Sequence, residues 1–155
     1  MNEELPIIIR NYLPQDNNFI MNSWLLSSRE SFPQRHITKY NYNLNYTPVI
    51  KTLMADSIIR VAVDKDNDNW IIGYLVYENI DAFNIIHFIY VKRESRNWGV
   101  AKYLIKDSIP SFSNKETLIT AMPQKKHNIE QDIFSKYNIV LDPFIINRRM
   151  GWTIK

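Results

Sequence analysis

The sequence predicts a single α/β domain of the α+β kind, spanning residues 1–155. Three observations carry that expectation. Short β-branched and aromatic runs alternate with helical apolar periodicity in the order β, α, α, β, β, β, α, β, α, β, β. Three strand-like runs between Ser57 and Val91 follow one another through short polar connections, which makes an antiparallel meander. The composition, 45% apolar and 23% charged, suits a globular chain long enough to bury a full-sized core. No repeat, linker or shift of composition marks a second domain.

Ile7-Ile8-Ile9 followed by Arg10 reads as the first strand, and Pro14 stops it. Asp16 can cap the next helix, which carries Met21, Trp24, Leu25 and Ser28 on one face and ends near Glu30. Residues 32–47 interleave Tyr40, Tyr42 and Tyr46 with Asn41, Asn43 and Asn45 and read as a loop. Rings beside Arg35, His36 and Lys39 suggest a base-stacking surface, but a surface loop with partly buried rings is the simpler account. Thr47-Pro48 reads as a cap with proline at the first helical position, opening a short helix to about Ala55.

Ser57–Val63 and Trp70–Glu78 are the next two strands. Asp64, Asp66 and Asp68 between them mimic a calcium loop. Asn69 at the sixth position and Leu75 at the twelfth replace the required Gly and Glu, so a polar hairpin turn is expected. A tight connection at Asn79-Ile80-Asp81 leads to a strand from about Ala82 to Val91. Arg96-Asn97-Trp98-Gly99-Val100-Ala101 follows. Then comes a helix with Ala101, Leu104, Ile105, Ser108 and Ile109 on one face, ended by Pro110. The first amides of a helix lack intrahelical acceptors and sit at its positive end. Small residues there let a ligand approach the backbone, so this turn can cradle a phosphate. Thr117–Ala121 is a short buried strand, Asn128 opens a helix with Ile129, Ile133 and Phe134 inward, and Ile139-Val140-Leu141, Pro143–Ile146 and Met150–Ile154 close the sheet.

The absence of Cys excludes disulfides, thiolate nucleophiles and Cys-based zinc sites. No apolar run approaches the length of a membrane span and no leader pattern is evident, so a cytoplasmic protein is expected. The net charge of +3 fits an anionic ligand without demanding nucleic acid.

Arg96-x-x-Gly99-x-Ala101 resembles the acyl-CoA pyrophosphate loop of the GNAT acetyltransferase superfamily, and Ile9-Arg10-x-x-x-Pro14-x-Asp16 is similar to that family's opening. The element order is similar across essentially the whole chain. The resemblance implies a GNAT fold: a central mixed, mostly antiparallel sheet of six to seven strands, flanked by about four helices. It also implies an acyl-CoA cleft where the His87–Val91 strand splays from the Thr117–Ala121 strand. Acetyl-CoA would then meet the strand amides of Ile89 and Val91, the loop Arg96, Asn97, Trp98, Gly99, Val100 and Ala101, and Asn128. Lys125 and Lys126 either reach the 3′-phosphate or are a solvated surface.

Many GNAT proteins carry a general base four residues before the Val that ends this strand, and His87 stands there. That is about 13 Å from the strand end, roughly the reach of a pantetheine arm. Histidine suits a base at neutral pH; a histidine bonded within a strand interior is the other account. In the late helix Ser135 stands where the family has a Tyr acid, the family's Gly is absent, and Tyr137 lies two residues on. Either Tyr137 or water then protonates the leaving thiolate. Trp24, Tyr40 and Tyr42 would border the acceptor pocket.

Ser23-Trp24-Leu25, His87–Lys92 and Lys136-Tyr137 before Asp142-Pro143-Phe144 further resemble small phage-encoded GNAT-like proteins. The resemblance implies acetyl transfer to an amine on a small molecule or a host protein, by a monomer or homodimer in a bacterial cytoplasm. The alternative it leaves open is a catalytically weak or inactive protein that binds a host protein. A nucleic-acid partner through Lys125, Lys126, Arg148 and Arg149 is not favoured.

Overall fold

The computed structural model describes residues 6–30, 34–80, 83–108, 116–120 and 139–142. Six strands form one sheet in chain order: β1 (Ile7–Asn11), β2 (Ile58–Asp64), β3 (Asn67–Ile80), β4 (Phe83–Val91), β5 (Glu116–Ile119) and β6 (Ile139–Leu141). β1 to β4 pair antiparallel, while β4–β5 and β5–β6 pair parallel. The sheet is mixed and mostly antiparallel, as expected. The helices are α1 (Asn17–Arg29), α2 (Lys39–Asp56) and α3 (Val100–Ser108). The expected fourth helix and the last strands, at Pro143–Ile146 and Met150–Ile154, lie outside the described residues.

Each sheet face has its own core. On one face Ile20 and Trp24 of α1 and Val49, Ile50 and Leu53 of α2 pack on Val61, Val63, Tyr74 and Val76. On the other, Val100, Leu104 and Ile105 of α3 pack on Ala62, Leu75, Tyr77 and Ile86. A buried side chain of this size contributes about 1.5–3 kcal/mol, so each face is held independently of the other.

The expected hairpin is present, with Lys65-Asp66 as its turn and the Asp66 amide donating to Asp64 Oδ1 at 2.9 Å. The expected loop over 32–47 is overturned: α2 begins at Lys39 and runs through Pro48. Thr38, not Thr47, is its cap, accepting the Asn41 amide on Oγ1 at 3.3 Å. Its buried face is Tyr42, Val49, Ile50 and Leu53, and Tyr46 stacks on Tyr42 with ring centroids 5.3 Å apart. Pro48 cannot bond the Leu44 carbonyl, but packed residues on both sides carry the helix across the gap. Asp16 also departs from expectation. It precedes α1, yet its carboxylate accepts from Arg10 and from the Leu13 amide rather than from the helix.

Two bulges shape the middle of the sheet. β3 carries one extra residue, Ile72, opposite β2: Ala62 faces Gly73 and Val63 faces Ile71. β4 carries one, His87, opposite β3: Val76 faces Phe88 and Tyr77 faces Ile86. A Cβ on Gly73 would run into the Tyr90 carbonyl, so β3 and β4 approach closely only because residue 73 has none.

Candidate active site

Beyond β4 the chain makes one 3-10 turn, Arg93–Ser95, and enters α3 through two left-handed residues. Asn97 has φ 74° and Gly99 has φ 79°. Asn and Gly are the residues that tolerate this region. Among the described residues, its two chain neighbours aside, nothing lies within 4 Å of where a Gly99 Cβ would stand, so none of them covers the turn there. Tyr103 donates the first α3 bond, to the Gly99 carbonyl at 3.0 Å. The amides of Val100, Ala101 and Lys102 therefore lack intrahelical acceptors at the positive helix end. Val100 is buried and pins the turn, whereas Asn97 and Trp98 are exposed. Arg96 spans the turn, its Nε donating to the Val91 carbonyl at 3.1 Å.

The open edge of the sheet leads to this turn. β5 follows β4 only from Phe83 to Ile86, and the Thr120 amide closes the pairing on the Ile86 carbonyl at 3.0 Å. From Phe88 to Val91, β4 has β3 on one side and no strand partner on the other among the described residues. Among the described residues the pairing of β5 with β4 ends at the bulge, and the edge of β4 left without a strand there runs along Ile89 and Val91 toward Arg96.

His87 stands at the apex of this opening. Strict alternation predicts it on one face with Ile89 and Val91, but the bulge breaks that alternation. Ile89 and Val91 pack in the α3-side core, whereas His87 meets Glu78, which by alternation shares the face of Tyr74 and Val76. His87 Nε2 and Glu78 Oε2 are 2.9 Å apart, with side-chain exposures of 0% and 5%. An ionised carboxylate only accepts, so against one Nε2 is the donor. Thr120 Oγ1, one residue past β5, donates to the His87 carbonyl at 3.3 Å, which anchors the bulge. Asn84 and Thr117 are also buried there, 3.5 Å apart.

The three expected acceptor-side residues part company. Trp24 is 1% exposed and stacks on Phe88, next to His87, with centroids 4.9 Å apart. Tyr42 is buried and donates to the Leu25 carbonyl at 2.7 Å, and burial pushes its phenol well up. Tyr40 is 75% exposed. Asn128, Ser135, Tyr137, Lys125 and Lys126 lie outside the described residues. Sequence reasoning passed over Glu78 and Thr120. The available signal was a lone carboxylate closing the apolar run Ile71–Tyr77.

No family model and no curated protein matches the sequence. Solved structures do match. A Pyrococcus furiosus protein assigned provisionally as an acetyl transferase superposes with TM-score 0.63 at 13% identity, over 84% of this chain and 91% of its own. A GNAT-family acetyltransferase of Staphylococcus aureus Mu50 gives 0.57 at 15%, over 84% and 81%. A GNAT-family acetyltransferase of Brucella melitensis, solved with acetyl-CoA, gives 0.54 at 13%, over 77% and 78%. The chain has the fold of the GNAT acetyltransferases.

Proposed function

We propose that the chain is an acyl-CoA-dependent N-acetyltransferase that transfers acetyl from acetyl-CoA to an amine of a small molecule or a protein, in the cytoplasm. The observation carrying this is the opening of β4 from β5 at His87, with the positive turn 96–101 at the other end of the same edge. The residues fit the ligand. Open space over Gly99 and the free amides at the start of α3 suit a pyrophosphate. In this account Asn97, Trp98, Gly99, Val100 and Ala101 form the cradle and Arg96 adds its charge. The backbone of Ile89 and Val91 bonds the pantetheine, and Asn128 holds the arm. Acetyl-CoA, when bound, supplies an acetyl group activated as a thioester.

His87 is the base that takes the acceptor's proton. Tyr137, or water where Ser135 replaces the family's Tyr, gives one to the leaving thiolate. Trp24 stiffens the acceptor wall through Phe88, Tyr42 holds α2 on α1, and Tyr40 offers the contact surface. The test is thiol release from acetyl-CoA with a panel of primary amines and lysine peptides, with products identified by mass spectrometry. Acetylated product dependent on His87 is expected; binding of acetyl-CoA without any product overturns the transferase reading.

A second reading has its own support. The imidazole of His87 is enclosed, while Leu26, Tyr40 and Leu44 stand exposed on α1 and α2. A scaffold that keeps the fold and contacts a host protein through these helices fits both observations. Such a protein shows no turnover, and Leu26→Asp abolishes its partner binding.

A further inference from the structure

We infer that Glu78 is the positioning residue of the site: its carboxylate fixes the imidazole of His87 in one tautomer and one orientation at the apex of the cleft. The inference rests on reading His87 as the base.

A carboxylate does not lie 5% exposed at the end of an apolar strand without a partner, because burying an unpaired charge is costly. The partner is brought by the bulge. Glu78 faces Ile85 across the β3–β4 ladder, and His87, inserted one pair further on between Tyr77–Ile86 and Val76–Phe88, reaches its carboxylate at 2.9 Å. Both sides of His87 are thereby held: the side chain by Glu78 from β3, the carbonyl by Thr120 just past β5.

The chemical consequence is an assignment of nitrogens. With Nε2–H committed to Glu78, Nδ1 is the basic nitrogen of neutral His87. A proton leaving an ammonium acceptor goes to Nδ1, the amine is left neutral, and the imidazolium formed stands against the Glu78 carboxylate. Glu78 sets which nitrogen works and stabilises the charge that nitrogen acquires, as a base-orienting carboxylate does.

The test uses the full chain labelled with ¹⁵N-histidine, in wild type, Glu78→Gln, Glu78→Asp and His87→Gln. The chain has three histidines, and His87→Gln assigns the signal. Long-range imidazole correlations, without ligand and with acetyl-CoA, report the tautomer. Thiol release from acetyl-CoA with n-butylamine as probe amine reports turnover. Wild type should show one Nε2-protonated tautomer with a slowly exchanging proton. Glu78→Gln should mix the tautomers, keep acetyl-CoA affinity, and lose a large part of the about 10²-fold in kcat that a base contributes. Glu78→Asp, which keeps the charge one methylene short, should restore part of both.

The inference is overturned if Glu78→Gln retains the wild-type tautomer, exchange and kcat. If His87→Gln turns over like wild type, or wild type releases no thiol, the base reading fails, and the tautomer comparison still decides whether Glu78 positions the ring.

Discussion

Arg10–Asp16 and His87–Glu78 are both acid–base pairs with a buried carboxylate, and they are built for opposite ends. Asp16 holds the Arg10 guanidinium by two bonds, 2.7 and 2.9 Å, and takes the Leu13 amide at 2.8 Å. Burial alone would push Asp16 up; the Arg10 hydrogen bond, the Leu13 amide and the Arg10 charge outweigh it and hold the carboxyl below its usual range. The hydrogen bond to Asp16, set against desolvation, likewise raises Arg10. A guanidinium does not release its proton, so this pair is a clamp joining β1 to the entry of α1. Glu78 holds His87 by a bond of 2.9 Å, and an imidazole exchanges a proton near neutrality. In the proposed reading, similar burial yields a fixed joint where the partner is Arg and a proton site where it is His.

Breaking the clamp should have the largest effect on stability. Asp16→Ala takes from Arg10 its carboxylate partner, leaving the Asn11 and Asp68 carbonyls, and should cost about 3 kcal/mol, read as a Tm lower by about 6–12 °C, with acetyl-CoA affinity unchanged. The pH dependence has a definite sign. The folded-state value of Asp16 is depressed, so its contribution is full above the ordinary carboxylate range and is lost as pH falls through that lower value. The stability gap between wild type and Asp16→Ala should therefore be widest near neutrality and close in acid.

The proton site should respond in the other currency. His87→Gln keeps a donor for Glu78, so Tm should hold while kcat drops about 10²-fold, equivalent to about 2.7 kcal/mol. A Tm loss without a kcat loss would make this pair a second clamp and erase the distinction. Gly73→Ala in β3 should cost about 1–3 kcal/mol because β4 must retreat from the new methyl; a denaturant midpoint measures it. Tyr40→Ala should be the mildest, within about 0.5 kcal/mol of wild type, with its effect confined to the KM for the acceptor.

The same contrast shows what a sequence reveals. The turn from β4 into α3 was legible because its signals are local: a strand, Gly99, and the apolar spacing Leu104, Ile105, Ser108 lie within one short stretch. The meander was legible from β-branched runs with polar turns between them. The first half of α2 was not, because its core face is written in tyrosines among asparagines of low helix propensity, and Pro48 mimics a helix start. The bulge at His87 was hidden for a different reason. A period-two pattern carries no mark of an inserted residue, and the partner that explains it, Glu78, comes from another strand. The motif Arg10, Pro14, Asp16 was found, but Asp16 read as a helix cap because the competing donor, Arg10, reaches it only after β1 is placed.

Calorimetric titration of acetyl-CoA into wild type and Gly99→Glu tests the central claim most directly. The left-handed backbone at residue 99 costs a larger residue about 1–2 kcal/mol, which circular dichroism can show the fold survives, and the new carboxylate would occupy the space open to the pyrophosphate. Wild type should bind acetyl-CoA saturably and folded Gly99→Glu should not. No heat from wild type, or the same affinity in both proteins, would contradict the account.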